Sequence, residues 1–288
     1  MMPFQTGVDL LRLQGDVIWA GAEFTAKVFS EPYLKSVVKK GDGKTPVMTL
    51  PGFTGPEISM QPLNNFLRSN QYIAKSWGLG VNRGIRNMEH MEELSSLLSE
   101  NVRRFAEKNQ RKVSLVGQSL GGVFARELAR RFPDLVDRVI TLGSPAHFSK
   151  DAKNVNAMVA RVMSLYTGRK VEDLLKEVES LNFNMSEPPA EVPLVSIYSP
   201  YDGVAPMSTT KIPREFLNGA NEVPRENIEI ICSHCGMGIN PLVLLAVADR
   251  LAEDTKNWVP FDPLNYVAGP ARFASRFFYP SRLSPHAA

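Results

Sequence analysis

Short apolar runs alternate along this chain with longer stretches in which apolar residues recur at helical spacing. Val8 to Phe29 sets Leu10, Leu13, Val17, Ile18, Phe24 and Val28 roughly along one face, which predicts a helix docked on the domain. After a turn at Gly41-Asp42-Gly43-Lys44, Pro46 to Leu50 reads as a short strand ending in Pro51-Gly52-Phe53-Thr54-Gly55. Tyr72 to Trp77 is a second strand, broken by Gly78 and Gly80. Met88 to Lys108 is predicted as a long helix, apolar at Met91, Leu94, Leu97, Leu98, Val102 and Phe105. Val113 to Val116 is brief and β-branched, as a buried strand would be. Val123, Phe124, Ala125, Leu128 and Ala129 then follow a helical pattern.

Three further strands are expected at Val136–Leu142, Val192–Tyr198 and Asn227–Cys232, with a last helix from Pro241 to Lys256. Between the fourth and fifth strands, Val155, Met158, Val159, Val162, Met163 and Tyr166 recur at helical spacing. After Gly168 so do Val171, Leu174, Leu175, Val178 and Leu181. The alternation predicts an α/β fold: a mainly parallel sheet of about six strands with helices on both faces. No composition shift divides the chain, so residues 1–288 read as one domain. It carries an N-terminal helical segment (1–45), a helical insertion (147–190) and a C-terminal tail (259–288).

Composition narrows the partners more than the fold. Hydrophobic residues make up 43% of the 288 positions and charged residues 22%, ordinary for a globular protein. A net charge of +3, with basic residues scattered, gives no footprint for nucleic acid. Arg12, Asp16 and Glu23 interrupt what would have to be a signal-peptide core, and no run is long enough to span a bilayer. The expected location is cytoplasmic. Cys232 and Cys235, in Cys-Ser-His-Cys, offer too few ligands for zinc and do not open a helix, so two buried or partly buried free thiols are expected.

The chemistry concentrates where the third strand meets its helix. Gly117-Gln118-Ser119-Leu120-Gly121 is a Gly-x-Ser-x-Gly turn between strand and helix, the context in which this motif presents a strained, exposed serine. Gly117 and Gly121 leave room for the turn, and the Leu120 amide, at a helix N-terminus, points where negative charge would develop. A serine nucleophile needs a base oriented by an acid. Of the four histidines, His90 lies on a helix upstream, His286 in the tail, and His147 precedes any suitable carboxylate. His234, just past the last strand and followed by Gly236 and Gly238, is the best base. Asp202, after the fifth strand and before Gly203, is the best acid, with Asp249 on the final helix as the alternative. Both choices lie at carboxyl ends of strands, where chemistry collects in open α/β sheets.

In these residues the chain resembles the α/β-hydrolases of the serine esterase and lipase kind. The matching features are Pro-Gly-Phe-Thr-Gly, Gly-Gln-Ser-Leu-Gly-Gly, Leu-Gly-Ser-Pro, Tyr-Asp-Gly and Ser-His-Cys-Gly, spread from Leu50 to Gly238. The order Ser119, Asp202, His234 is the order of that fold. No strand pattern precedes Pro46, which suggests a sheet reduced as in the smaller bacterial lipases. The resemblance implies that the Phe53 amide joins that of Leu120 in an oxyanion hole, although Pro51-Gly52 stands where many lipases have His-Gly.

The expected activity is hydrolysis of carboxylic esters through an acyl-enzyme on Ser119, with no metal or organic cofactor required. A thioesterase or acyltransferase would use the same triad, and a catalytically silent binding protein would keep the fold without the chemistry. Met158, Met163 and Leu174, on the inserted helices, are expected to line a lid over an apolar acyl chain, so the substrate is a small ester or a lipid. The tail from Ala271 to Tyr279 mixes cations with aromatics in a manner suited to peripheral membrane contact.

Overall fold

A computed structural model describes residues 5–84, 88–146, 188–205, 207–217 and 223–266, with isolated positions between 170 and 176. Met158, Met163 and Leu174, most of the 147–190 insertion and the Ala271–Tyr279 tail lie outside the described residues. Six strands form one sheet: β1 (Pro46–Leu50), β2 (Ile73–Ser76), β3 (Val113–Gln118), β4 (Val136–Leu142), β5 (Leu194–Tyr198) and β6 (Arg225–Glu229). Their order is β2-β1-β3-β4-β5-β6, and every neighbouring pair is parallel.

Among the described residues the longer helices are α1 (Gln5–Val37), α2 (Gln61–Ser69), α3 (Met88–Asn109), α4 (Leu120–Arg131) and, after two short helical turns, α5 (Pro241–Ala252). Alternation of side chains along each strand sends Val47, Val116, Ile140 and Val195 to one face, with α2, α5 and the end of α1. Met48, Leu115, Val139 and Leu194 go to the other face, under α3 and α4. Because both faces are covered, β1 and β5 are buried at every position, and their sequences read as unbroken apolar runs.

The expected strand at Val136–Leu142 coincides with β4, whereas the last strand sits two to three residues earlier than its hydrophobicity suggested. The reason is its place at the sheet edge. There burial alternates, so Arg225, Glu226 and Glu229 take part in the ladder. The apolar Ile230 and Cys232 continue beyond it into the core. The final helix also stops at Ala252, four residues short of Lys256, because Glu253 turns extended (φ −74°, ψ 139°). Its start is well defined. Asn240 caps it by accepting from the amides of Leu242 (2.9 Å) and Val243 (3.2 Å), and Pro241 fills the first turn.

Helix α1 departs further from expectation. It runs through Pro32 and ends only at Val37, with Leu34 and Val38 buried. Of its expected apolar stripe, Val17, Ile18, Phe24 and Val28 stand exposed, Ile18 at 77%, while Asp16 and Glu23 are each 4% exposed. The helix docks on its carboxylate face. Among the described residues, no helix is long and apolar enough to cross a membrane.

Candidate active site

Sheet topology makes the crevice. From β1 the chain steps outward to β2, then crosses back to β3 on the other side, so the loops after β1 and β3 diverge at their carboxyl ends. Ser119 follows β3 directly, with φ 50° and ψ −122°, a backbone conformation that costs energy for a residue with a Cβ. The turn is held by its own hydrogen bonds: Ser119 N–H donates to Leu142 O (2.8 Å), and Gly122 N–H donates to Ser119 O (3.0 Å). A Cβ on Gly121 would collide with the carbonyls of Leu50 and Pro51, and one on Gly117 with the backbone of Gly121 and Gly122. Ser119 makes no capping hydrogen bond to α4, so its hydroxyl is not committed to the helix it begins.

The loop after β1 lies against this turn. The Gly52 Cα faces Ser119 so closely that an added Cβ would lie 3.3 Å from the serine Cβ and 4.0 Å from its Oγ. The side chains of Phe53 and Leu120 converge at Gly84, where an added Cβ would meet the Phe53 ring at 2.9 Å and Leu120 Cδ2 at 3.7 Å. Asn82 fixes the loop. Its side chain donates to Pro51 O (2.7 Å), its amide donates to Gly55 O (3.0 Å), and its carbonyl accepts from Thr54 N–H (2.7 Å).

Asp202 and His234 meet beyond β5 and β6. His234 Nδ1–H donates to Asp202 Oδ2 at 2.7 Å, with both side chains nearly excluded from solvent (1% exposed for Asp202, 8% for His234). A carboxylate can only accept, so this bond selects the Nδ1–H tautomer and leaves the Nε2 lone pair to take a proton. Asp202 is itself oriented, because Oδ1 accepts from the amides of Val204 (2.8 Å) and Ala205 (2.6 Å). Gly143, the residue after Leu142, closes the geometry. With φ +56°, it would place a Cβ 2.9 Å from Asp202 Oδ2 and 3.0 Å from His234 Nδ1. Burial alone pushes the His234 pKa down; the charge and hydrogen bond of Asp202, with the charge of Asp16, outweigh it and leave the pKa raised above 6.5.

The other candidate acid is elsewhere. Asp249, on α5, binds Arg250, Lys39 and the Tyr266 hydroxyl in a buried ionic cluster. Cys232 is buried and Cys235 exposed, both free. Among the described residues, no group of three or more His, Cys, Asp and Glu side chains is arranged to hold a metal ion. Three partners of the site had no local sequence signal. Gln118 donates from Nε2 to His234 O (2.9 Å), while Asp16 and Glu23 bind the loop that carries His234. Their partners are distant in sequence, and a carboxylate in a helix ordinarily marks a solvated face.

A family model described as alpha/beta hydrolase fold matches residues 62–214, more than half of the chain. Among solved structures, the mature form of Bacillus licheniformis lipase BlEst2 is similar with a TM-score of 0.53 at 17% identity, covering 74% of this chain and 94% of that one. A soluble variant of Saccharomyces cerevisiae monoglyceride lipase, solved with a substrate analog, gives a TM-score of 0.51 at 12% identity, covering 75% and 89%. MGS-M2, an alpha/beta hydrolase enzyme from a deep-sea metagenome library of the Medee basin, gives 0.50 at 15% identity, covering 77% and 92%. At these identities the likeness is one of fold.

Proposed function

The chain belongs to the α/β-hydrolase fold family, and from that premise we propose that it is a serine hydrolase of carboxylic esters, with Ser119, His234 and Asp202 as its triad. The observation that carries this reading is the buried 2.7 Å hydrogen bond from His234 Nδ1 to Asp202, at the same sheet edge as the positive-φ turn at Ser119. An imidazole held in this tautomer, with Nε2 left to take a proton, is what a serine nucleophile at the same sheet edge needs for acyl transfer.

In the proposed reaction, His234 Nε2 takes the proton as Ser119 Oγ adds to the ester carbonyl. The amides of Phe53 and Leu120 receive the developing oxyanion, the second at the N-terminus of α4, where the helix dipole favours negative charge. Collapse breaks the bond to the alkoxide, which leaves with the proton from the imidazolium. Water, deprotonated by His234, then adds to the acyl-enzyme, and the acid departs as Ser119 regains its proton. Asp202 keeps the ring oriented and stabilises its cationic form. The relatives named lipases support an apolar acyl group, and we assign Met158, Met163 and Leu174 to the wall that would contact it. Hydrolysis of p-nitrophenyl esters of rising chain length tests both parts. Ser119→Ala should lose on the order of 10⁶ in kcat, and full retained activity would refute the triad. Wild-type activity confined to acetate would refute the acyl wall.

A further inference from the structure

The N-terminal helix buries charge where a helix normally buries apolar surface. Asp16 and Glu23 are spaced by about two helical turns, so both carboxylates point the same way. Asp16 Oδ1 accepts from the amide of His234 (2.7 Å) and from that of Gly203 (3.4 Å), and Oδ2 accepts from the amide of Cys235 (2.8 Å). Glu23 Oε1 accepts from the amide of Ser233 (3.0 Å) and from Asn240 Nδ2 (2.8 Å), while Oε2 accepts from the Ser233 hydroxyl. Ser233 Oγ in turn accepts from the amide of Gly236 (2.9 Å), and a Cβ on Gly236 would overlap the Glu23 carboxylate.

Strand β6 ends at Glu229, so the amides of Ser233, His234 and Cys235 have no ladder to join. Successive N–H groups left without a ladder attract anions, and here the anions are side chains of the chain's own first helix, Glu23 for Ser233 and Asp16 for His234 and Cys235. Burying a carboxylate costs several kcal/mol unless it is fully partnered. For Asp16 the partners that offset this cost are the backbone amides of His234 and Cys235 and, more distantly, that of Gly203, the residue following Asp202. We propose that Asp16 is a positioning residue of the active site, a single carboxylate that ties the Asp202 loop to the His234 loop and sets the distance between acid and base.

The role rests on the reading of His234 as the general base. Asp16 acts through backbone amides and touches no reacting atom, but its charge also bears on the imidazole. Among the described residues, the titratable groups around His234 are Asp202 from the loop after β5, Asp16 and Glu23 from α1, and Cys232 and Cys235 from its own loop. Burial raises the Glu23 pKa; the hydrogen bonds from Ser233 and Asn240 counter it in part, and the Asp16 charge adds to the rise. Both Asp202 and Asp16 favour the protonated imidazole, so neutralising Asp16 should move the acid limb of activity to lower pH.

The test compares Asp16→Asn and Asp16→Glu with wild type, measuring kcat and KM for p-nitrophenyl butyrate across pH. Rates are normalised to sites counted by a fluorophosphonate probe, so unfolded protein does not enter. Asp16→Asn should lower kcat about tenfold or more, leave KM within about twofold, and shift the acid limb of kcat/KM downward. Asp16→Glu keeps the charge but displaces the loops, so kcat should fall while the limb stays in place. Wild-type kcat and limb in Asp16→Asn would overturn the proposal, and so would failure of both variants to fold, which would assign Asp16 to the fold alone. Absence of labelling in wild type would instead remove the serine-hydrolase reading beneath it.

Discussion

The central sheet and the first helix of this protein are built on opposite principles. In β1, β3, β4 and β5 apolar side chains are buried on both faces, and Val47, Met48, Leu115 and Ile140 are fully enclosed. In α1 the enclosed side chains along the middle of the helix are Asp16 and Glu23, and the apolar ones stand in solvent: Ile18, Phe24, Val28 and Phe29. Hydrophobic burial holds the sheet without regard to direction. Charge-assisted hydrogen bonds hold the helix at one register, because a carboxylate must meet particular amides. The difference teaches what each region is for. The sheet supplies rigid strand ends, and the helix fixes the loops that follow β5 and β6.

Substitutions sharpen that contrast in descending size. Asp202→Asn keeps the shape but removes the charge and the tautomer selection, and kcat should fall about 10⁴-fold. Steady-state kinetics on the folded variant check this, and a loss below tenfold would detach the acid from the chemistry. Leu115→Ala, in the middle of β3, should cost about 2–5 kcal/mol in urea unfolding, from lost burial plus the cavity left behind. Next comes pH. With the His234 pKa raised, the base is protonated below that point, so kcat/KM should fall on the acid side with a midpoint above 6.5. A midpoint below 6.5 would mean that burial, not Asp202, governs the ring. The smallest effect belongs to the outer face of α1, where Ile18→Ala should change stability by less than about 0.5 kcal/mol. A loss comparable with that of Leu115→Ala would show that this face is buried in solution.

Legibility in the sequence followed the same division. Strands buried on both faces were readable as apolar runs, and β4 falls on its expected residues. The edge strand β6 was misplaced because its ladder uses Arg225, Glu226 and Glu229, whose polarity hides them. Glu226 is drawn inward by Arg250 (2.8 Å) and the Trp258 indole (3.2 Å), partners that no local pattern could announce. The Asp202–His234 pair can be picked out because each follows a strand and stands near glycine, features that survive in one dimension. Asp16 cannot be, for its hydrogen-bond partners lie around positions 203 and 234. Its spacing from Glu23 was visible, but in a helix such spacing ordinarily marks the solvated side. Only the fold shows that the polar face is the inner one.

The claim on which the rest depends is that Ser119 is an activated nucleophile. Labelling the purified protein with a fluorophosphonate probe, followed by peptide mass mapping, tests it in one step, because an unactivated serine does not react. One adduct is expected, on the peptide containing Ser119, absent from Ser119→Ala and strongly slowed in Asp202→Asn. No adduct in the folded wild-type protein, or an adduct on a different serine, would contradict it.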